Sequence, residues 1–525
     1  MAGEAWDTTH DPGPAELHWS TDNVGEAAPG VLTPFSWSMW GATGDSMPRE
    51  VVYRMGVFSA DDRANFPRIV RPFYGRIGFL MEYMAAVGDR MPGTSGEEIV
   101  SNMLGKVPST MAFTPSKARY PVIAYKLPRS ILTAPRAVRR DAPVVDAWWR
   151  AQTARLGGVA LPEATAALGE AVRRFDDMLI THSWALLSLV QPLLVELTKL
   201  VENTGAGDVG ALSGSGGAEM AIVEDIWRAS RGTIGLEDVV ANHGFHGPLE
   251  GEAASRVWRE DPAPLERMVD AYKALPDAES PVLRDERARA QLPAAQREVL
   301  AALPAARRPG ARLLLQLAAR TIPLRGVGKR SFLQSLDVAR CAGRRIGAQL
   351  AEDGVLDTPD DVFYLTVVEL AGALPADVKE LVALRRERRA EYQALELPGS
   401  WQGTPDVTPV SVGGAAVDRI TGIGASAGIV EGVVRVVLDP TFAEVEPDEI
   451  LVTPTTDPSW ASIMFLSAGL VVDIGGALSH AAVVARELGI PCVVNTRSGS
   501  RTLHTGDRVR VDGKAGTVEV LERAP

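Results

Sequence analysis

Gly475-Gly476-Ala477-Leu478-Ser479-His480-Ala481-Ala482-Val483-Val484-Ala485-Arg486 sets one histidine just behind paired glycines and at the start of a helix of small residues. Upstream, Ala468 to Ile474 (AGLVVDI) is apolar apart from Asp473 and reads as a short buried strand. Downstream, Ala481 to Leu488 has helical spacing, and Gly489-Ile490-Pro491 stops it before the next strand, Cys492-Val493-Val494. His480 is therefore expected at a strand-to-helix corner. Unpaired backbone N–H groups and the positive end of the helix dipole favour an anion there. Gly475, Gly476 and Ser479 are the expected phosphate-binding positions, since glycines remove side chains that would block a phosphate. An imidazole so placed suits a phosphohistidine carrier. A Ser-His pair by itself is also what an ordinary capped helix with a partly exposed histidine shows.

Three ordered blocks carry a wider likeness: Gly424-Ala425-Ser426-Ala427-Gly428-Ile429-Val430-Glu431-Gly432, Asp457-Pro458-Ser459-Trp460, and Gly475 to Pro491. From about Ile420 to the C-terminus the sequence resembles the phosphohistidine domain of the phosphoenolpyruvate-utilising enzyme family. Leu478-Ser479-His480 stands where the dikinases of that family have Thr-Ser-His, which is closer to its small-molecule phosphotransferase branch.

Composition bounds the rest. The chain has 525 residues, 46% hydrophobic and 23% charged, enough for two or three domains with real cores. Its net charge of -12 argues against nucleic acid as the main partner. Cys341 and Cys492 make no disulfide framework and fit a reducing cytoplasm, the expected location. The N-terminus (MAGEAWDTTHDPGPAE) shows no apolar signal region. The most apolar run, Trp184 to Leu197, is broken by Ser188, Gln191 and Pro192, so it reads as a core helix too short to span a bilayer. No membrane partner is expected. Between Ala301 and Leu350 stand ten Lys or Arg residues and one acid, Asp337. That island is either a solvated helical face or a surface suited to phosphate groups.

The expected fold is multidomain, a large mainly α-helical substrate domain followed by a C-terminal α/β swivelling phosphohistidine domain. Residues 1–18 read as a leader, 19–396 as the helical domain, 397–419 as a hinge linker rich in Pro and Gly, and 420–525 as the carrier. Helical periodicity is expected over Phe73 to Val87, and residues 98–135 as helices joined by Pro-containing turns. From about Ala142 to Leu395 helix dominates, with Ala164 to Val201 as one long helix kinked near Pro192. Asn203 to Gly217 lacks the Gly-Lys-Ser/Thr ending of a nucleotide loop and reads as an interhelical loop.

Within the helical part, Trp19-Ser20-Thr21-Asp22-Asn23-Val24-Gly25-Glu26 with Pro29-Gly30-Val31-Leu32-Thr33-Pro34 resembles the opening of the rifampicin phosphotransferase substrate domain. His243-Gly244-Phe245-His246-Gly247-Pro248-Leu249-Glu250 resembles that family's Gly-His-Arg-Gly-Pro block, with Phe245 and His246 departing from it. Asp360-Asp361-Val362-Phe363-Tyr364-Leu365 resembles its Asp-Asp-Val-Phe-Tyr-Leu block. Arg325 and Lys329 stand four apart, so in a helix they share a face and could hold phosphoryl oxygens. The family's Arg-Glu-x-x-Lys pattern has Gly326 at its Glu position here, with Gly328 close by, which puts a regular helix in question. The alternative is two surface cations. His246 could take the proton of a substrate hydroxyl, with Glu250 orienting it and His243 contacting substrate. Equally, the two histidines could be turn residues. His182, in an apolar helix, is a core or pocket residue. No His/Cys spacing suggests a metal.

A phosphohistidine needs a donor. Only 45 residues follow His480 and 18 precede Trp19, so neither a TIM barrel nor an ATP-grasp domain is expected in this chain. The resemblance then implies Mg-ATP on a separate ATP-grasp subunit, with no cofactor bound by this chain. The expected reaction is dikinase-type: ATP and an acceptor hydroxyl give a phosphate ester, AMP and phosphate. A small, phenolic acceptor is expected from the split arrangement. The alternatives are a split rifamycin-type antibiotic phosphotransferase and a non-catalytic regulatory relic.

Overall fold

The structure, a computed structural model, describes residues 6–21, 27–28, 30–104, 107–206, 209–212, 218–410, 418–438, 445–456, 460–476 and 479–524. Asp22 to Glu26, Pro29, most of the Gly-rich stretch after Ala206, Asp457 to Ser459, Ala477 and Leu478 lie outside the described residues. The chain forms two compact units, Met1–Ser188 with Gly251–Ala254 and Gly328–Val410, and Leu189–Glu250 with Ser255–Val327 and Ser411–Pro525. The sequence reading places all of 19–396 together, whereas residues 189–250 and 255–327 fall in one unit with the C-terminal α/β part.

The first unit packs long helices. Pro34–Met55 begins with Thr33 as N-cap, its side chain accepting from Ser36 N, and Pro34 at the first helical position; it ends on left-handed Gly56. It packs on Leu161–Ala185 and Tyr120–Arg155, with Trp40, Phe175 and Phe332 meeting edge to face. The helices Gly96–Leu104 and Tyr120–Arg155 are joined by a stretch containing Pro108 and Pro115, as expected, but the second helix runs unbroken through Pro128, Pro135 and Pro143, where no turn forms. Each proline removes one backbone bond. Burial of Ile123, Ala134, Val138, Val145 and Trp149 along one face offsets the loss.

One further expectation is corrected. Phe73 to Leu80 is a hairpin arm, because Tyr74 and Gly75 both take positive φ (50° and 73°) and reverse the chain; helix starts only at Met81. The expected single helix with an irregularity near Pro192 is present, but that irregularity is a π turn lying just before the proline. This turn, Leu186–Val190, links Leu161–Ala185 to Gln191–Thr204 and absorbs the missing donor. The continuous helix Leu161–Thr204 is 44 residues, long and apolar enough by length and composition to cross a membrane, and half of its most apolar window is buried inside the protein.

Strands β1 (His18–Ser20), β2 (Val70–Phe73), β3 (Arg76–Leu80), β4 (Leu395–Glu396), β5 (Ser400–Gln402) and β6 (Thr408–Pro409) also belong to the first unit. They form a sheet β2-β3-β1-β5 and a pair β4-β6. The expected linker 397–419 is therefore structured as far as Pro409: Trp401 is registered opposite Trp19, and residues 411–417 lie outside the described residues.

The second unit carries an eight-stranded sheet. Its strands are β7 (Arg419–Thr421), β8 (Ile423–Ser426), β9 (Ile429–Val436), β10 (Ile450–Thr453), β11 (Gly469–Val472), β12 (Cys492–Val494), β13 (Arg508–Asp512) and β14 (Thr517–Glu522). The order is β7-β14-β13-β9-β10-β11-β12-β8. β9 to β12 run parallel and the flanking strands antiparallel. One apolar cluster joins this sheet and helices Ala461–Leu466 and His480–Leu488 to helices Ala218–Ser230 and Ala263–Lys273. Tyr272 OH donates to Ser462 O at 2.9 Å, and the Arg284 guanidinium lies 4.6 Å from the centre of the Phe465 ring.

Polar burial in the first unit is concentrated on one node. Arg340, 1% exposed, donates to Asp337 Oδ1 (3.0 Å), Ala253 O and Glu252 O. Glu252 in turn accepts from Thr33 N, Thr33 Oγ1 and Ser36 Oγ. Arg340→Met takes the cation away from the buried Asp337 carboxylate, and we expect it to cost about 3–5 kcal/mol, read as a lowered urea midpoint by circular dichroism. An unchanged midpoint would show the node to be dispensable.

Candidate functional site

The loops at the carboxyl ends of three adjacent parallel strands converge on His480, the position where open α/β sheets hold ligands. After β11 the chain reaches Ser479, which caps the helix His480–Leu488 by accepting from Ala482 N at 3.3 Å. After β10, Ile474 N bonds Pro454 O (2.9 Å) and Asp473 N bonds Thr453 O (3.1 Å), which ties the two loops together. After β12, Thr496 Oγ1 donates to Asp473 Oδ1 at 2.7 Å, and Ser500 N to the same atom at 3.2 Å. The result places Thr456 Oγ1 at 3.0 Å from His480 Nδ1.

That contact decides the chemistry of the ring. When Nδ1–H donates to Thr456, the lone pair sits on Nε2, and Nε2 is then the nucleophilic nitrogen. Gly475 takes φ 149°, where side chains are rarely found, and a Cβ at Gly476 would meet nothing within 4 Å. At Gly476, therefore, the lack of a side chain is not required by packing. Ser479 Oγ is engaged as the cap. The sequence predicts an approachable imidazole, however, and His480 is only 3% exposed, with Thr456 equally buried. Its helix lies against Val209–Leu212 as well as the sheet.

The second group is His243, His246 and Glu250, also in the second unit. His246 Nδ1 is in close contact with Glu250 Oε1, and the two residues are 5% and 4% exposed. His243 Nε2 lies 3.1 Å from Asp225 Oδ2. The hydrogen bond with His243, helped by Asn242 and Arg228, outweighs partial burial and holds the Asp225 carboxyl below its ordinary value. The two imidazoles stack with centroids 6.2 Å apart, and Phe245 and Trp258 flank His246. Each ring therefore has its own carboxylate, an arrangement able to orient a tautomer and accept a proton. Leu249 takes φ 51° just before Glu250, a conformation uncommon for a leucine.

Arg325 and Lys329 lie one turn apart in the helix Leu324–Glu352, both half-buried. The glycines at 326 and 328 do not break that helix. Gly328 is instead a close-packing position, since a Cβ there would come 2.6 Å from His182 Nδ1. His182 stands 5.4 Å from the Phe332 ring. Lys329 and His182 belong to the first unit; Arg325, His243, His246, Glu250 and His480 belong to the second. A cleft of about 360 Å³ in the first unit is lined by Ser46, Arg49, Glu50, Arg54, Arg63 and Ile180 and contains none of the expected site residues.

Thr456 was not foreseen from sequence, although Thr455-Thr456 directly precedes the Asp457-Pro458-Ser459-Trp460 block. Asp225 gave no sequence signal, because only the packing of two helices brings it to His243. The burial of His480 has a measurable consequence. Diethyl pyrocarbonate should modify it about tenfold more slowly than His504, whose side chain is 65% exposed. Tyr272→Phe, which removes one buried hydrogen bond of about 1 kcal/mol, should narrow that gap several-fold. Equal rates for both histidines in the wild type would show the ring to be open.

Comparison with known proteins gives two family matches. Residues 445–516 match the mobile domain of the PEP-utilising enzymes, and residues 229–326 match the fourth domain of rifampicin phosphotransferase. An uncharacterized protein of Mycobacterium tuberculosis is 37% identical over 283 residues, 54% of this chain and 30% of that one. An uncharacterized phosphotransferase, YvkC, of Bacillus subtilis is 35% identical over 194 residues, 34% of this chain and 23% of its own. The rifampicin phosphotransferase of Streptomyces sviceus is 38% identical over 185 residues, 33% of this chain and 20% of its own. The matched stretch spans a third or less of the length of each of these relatives. His480 and Thr456 fall inside the first matched segment, and His243, His246 and Glu250 inside the second. These two segments match domains of the phosphoenolpyruvate-utilising enzymes, and the relatives named rifampicin phosphotransferase and YvkC phosphotransferase support that branch as what the chain is similar to.

Proposed function

We propose that this chain carries a phosphoryl group on Nε2 of His480 and hands it to the hydroxyl of a small molecule. The observation that supports this most is His480 at the first position of its helix, Nδ1 held by Thr456, inside a segment that matches a phosphoryl-carrying mobile domain. In the first step the Nε2 lone pair attacks the β-phosphorus of Mg-ATP held on a separate ATP-binding chain: a P–N bond forms, the bond to the α-phosphate oxygen breaks and AMP leaves, and water then cleaves the β–γ anhydride to release inorganic phosphate. In the second, the acceptor oxygen attacks the same phosphorus, the P–N bond breaks and its electron pair returns to Nε2. The hydroxyl proton passes to His246, whose other nitrogen is held by Glu250. Over the cycle ATP, the acceptor and water give the phosphate ester, AMP and inorganic phosphate.

A P–N phosphoramidate is already a strong donor, so the protein's task is positioning and charge stabilisation. Within the unit that holds His480, Arg325 is the cation assigned to the transferring oxygens and His243 the residue assigned to contact the acceptor. Since His480 is closed off, loading requires its helix and the sheet to part from the helices that share their core. A small phenolic acceptor is the first choice, and a rifamycin-like one the second, favoured by the relatives named for rifampicin.

The test is labelling. With the ATP-binding chain supplied, ATP labelled at the β-phosphorus should leave an acid-labile, alkali-stable phosphate on the wild type and none on His480→Ala. Thr456→Val should slow labelling by about tenfold or more, because the tautomer with its lone pair on Nε2 loses its partner. Label that persists in His480→Ala would remove the carrier assignment.

A further inference from the structure

The basic island between Ala301 and Leu350 is not used by the proposed reaction except at Arg325, and its exposed part has a definite form. Residues 299–336 contain no acidic side chain. Within them the helix Arg308–Thr321 buries Ala311, Leu315 and Ala318. Those three recur at helical spacing, and the face they define packs on Gln191–Thr204, Val209–Leu212 and Pro281–Ala301. The opposite face is unusual for a surface helix. Leu313 is 57% exposed and Leu317, one turn on, is 39% exposed. Arg307, Arg308, Arg312 and Arg320 surround them, all exposed. Arg308 donates to the carbonyls of Leu303 and Ala301. Among the described residues neither Arg307 nor Arg312 has a carboxylate within ion-pair distance, so their charge stays available.

We propose that this outer face is a docking surface for an acidic, amphipathic segment of a partner protein. Two leucines a turn apart offer an apolar seam of the kind that helix-to-helix recognition uses, and the flanking arginines select for carboxylates. Size and charge distinguish this occupant from other polyanions. A helix of this length is about 21 Å long, roughly two Debye lengths at 0.1 M salt. A membrane or a long nucleic acid reaches beyond such a patch and meets the remainder of a chain whose net charge is -12. A short acidic segment stays within it. The surface stands independently of whether His480 carries phosphate.

The experiment uses the full chain and a fluorescein-labelled acidic helical peptide of about 18 residues, with leucines at i and i+4 and glutamates elsewhere. Binding is read by fluorescence anisotropy. Vesicles containing phosphatidylserine and a short DNA duplex serve as competing probes. The expected result is peptide binding that weakens at least about tenfold between about 0.05 and 0.3 M NaCl. Arg307→Glu with Arg312→Glu, and separately Leu313→Ser with Leu317→Ser, should each weaken it about tenfold, with thermal melting unchanged because all four side chains are exposed. The proposal is overturned if the peptide does not bind. It is equally overturned if both double variants bind as the wild type does, or if vesicles or DNA bind more tightly than the peptide.

Discussion

The hydroxyl of Tyr272 reaches Ser462 O from inside an apolar cluster that also holds Trp227, Met268, Phe465 and the small residues Ala481, Ala482 and Ala485. Burial pushes the Tyr272 phenol well above its ordinary range, so it remains a proton donor at any physiological pH. This cluster governs how the imidazole can be used. It draws the face of the sheet that bears the carrier helix onto the helices of residues 218–273, and it leaves His480 buried. Small side chains on the carrier helix allow close approach without filling the space a phosphoryl group needs. If His480 carries phosphate as proposed, the contact that would shield the P–N bond from water would also bar loading, and a working cycle would have to break it reversibly. A cluster of moderate apolar residues with one hydrogen bond suits that demand better than a buried ion pair, whose separation is costly.

Much of the carrier was legible in sequence because it is written in local terms. A strand ending at Val472, a glycine pair, a Ser cap and a helix stopped by Gly489 are each a short-range pattern with one physical solution. His480 follows directly from them. Thr456 does not, because its approach depends on the lateral pairing of β10 with β11, a contact across the sheet that no periodicity encodes. The helical part was legible in kind and less so in limits. Prolines at 128, 135 and 143 argue locally for turns, yet the helix Tyr120–Arg155 passes through all three because its buried face is supported by the neighbouring helices. Tyr74-Gly75 gave the opposite error, since a two-residue turn with positive φ cut short a pattern that otherwise reads as helix.

Division of the chain was the least legible feature. Composition marks 397–419 as a joint, and its Pro and Gly content is real, but Trp401 extends the sheet of the first unit and removes the beginning of that stretch from any free movement. The other division, which places residues 189–250 and 255–327 beside the sheet, rests on contacts between residues about two hundred positions apart, such as Tyr272 with Ser462 and Met268 with Ser462. Nothing in the spacing of either segment announces the other. The family matches fall on both partners of this contact, 229–326 and 445–516. The conjunction of the two is itself a reason to treat their shared core as a working surface.

The paired carboxylates and imidazoles of the second unit bear on what that surface covers. His246 with Glu250 and His243 with Asp225 occupy a loop and helix end where an apolar residue would pack at less desolvation cost. Two such pairs side by side, one behind a strained Leu249, are costly to assemble for structural reasons alone. Proton transfer from an acceptor hydroxyl gives them a use: a carboxylate behind the imidazole stabilises the charge that appears on the ring as the oxygen attacks phosphorus. In the proposed transfer the phosphoryl group needs no such base once it is a phosphoramidate, so these residues would act on the acceptor and Thr456 on the donor. Under that proposal each half of the reaction would have its own histidine, and the fold supplies each ring with a hydrogen-bond partner on Nδ1.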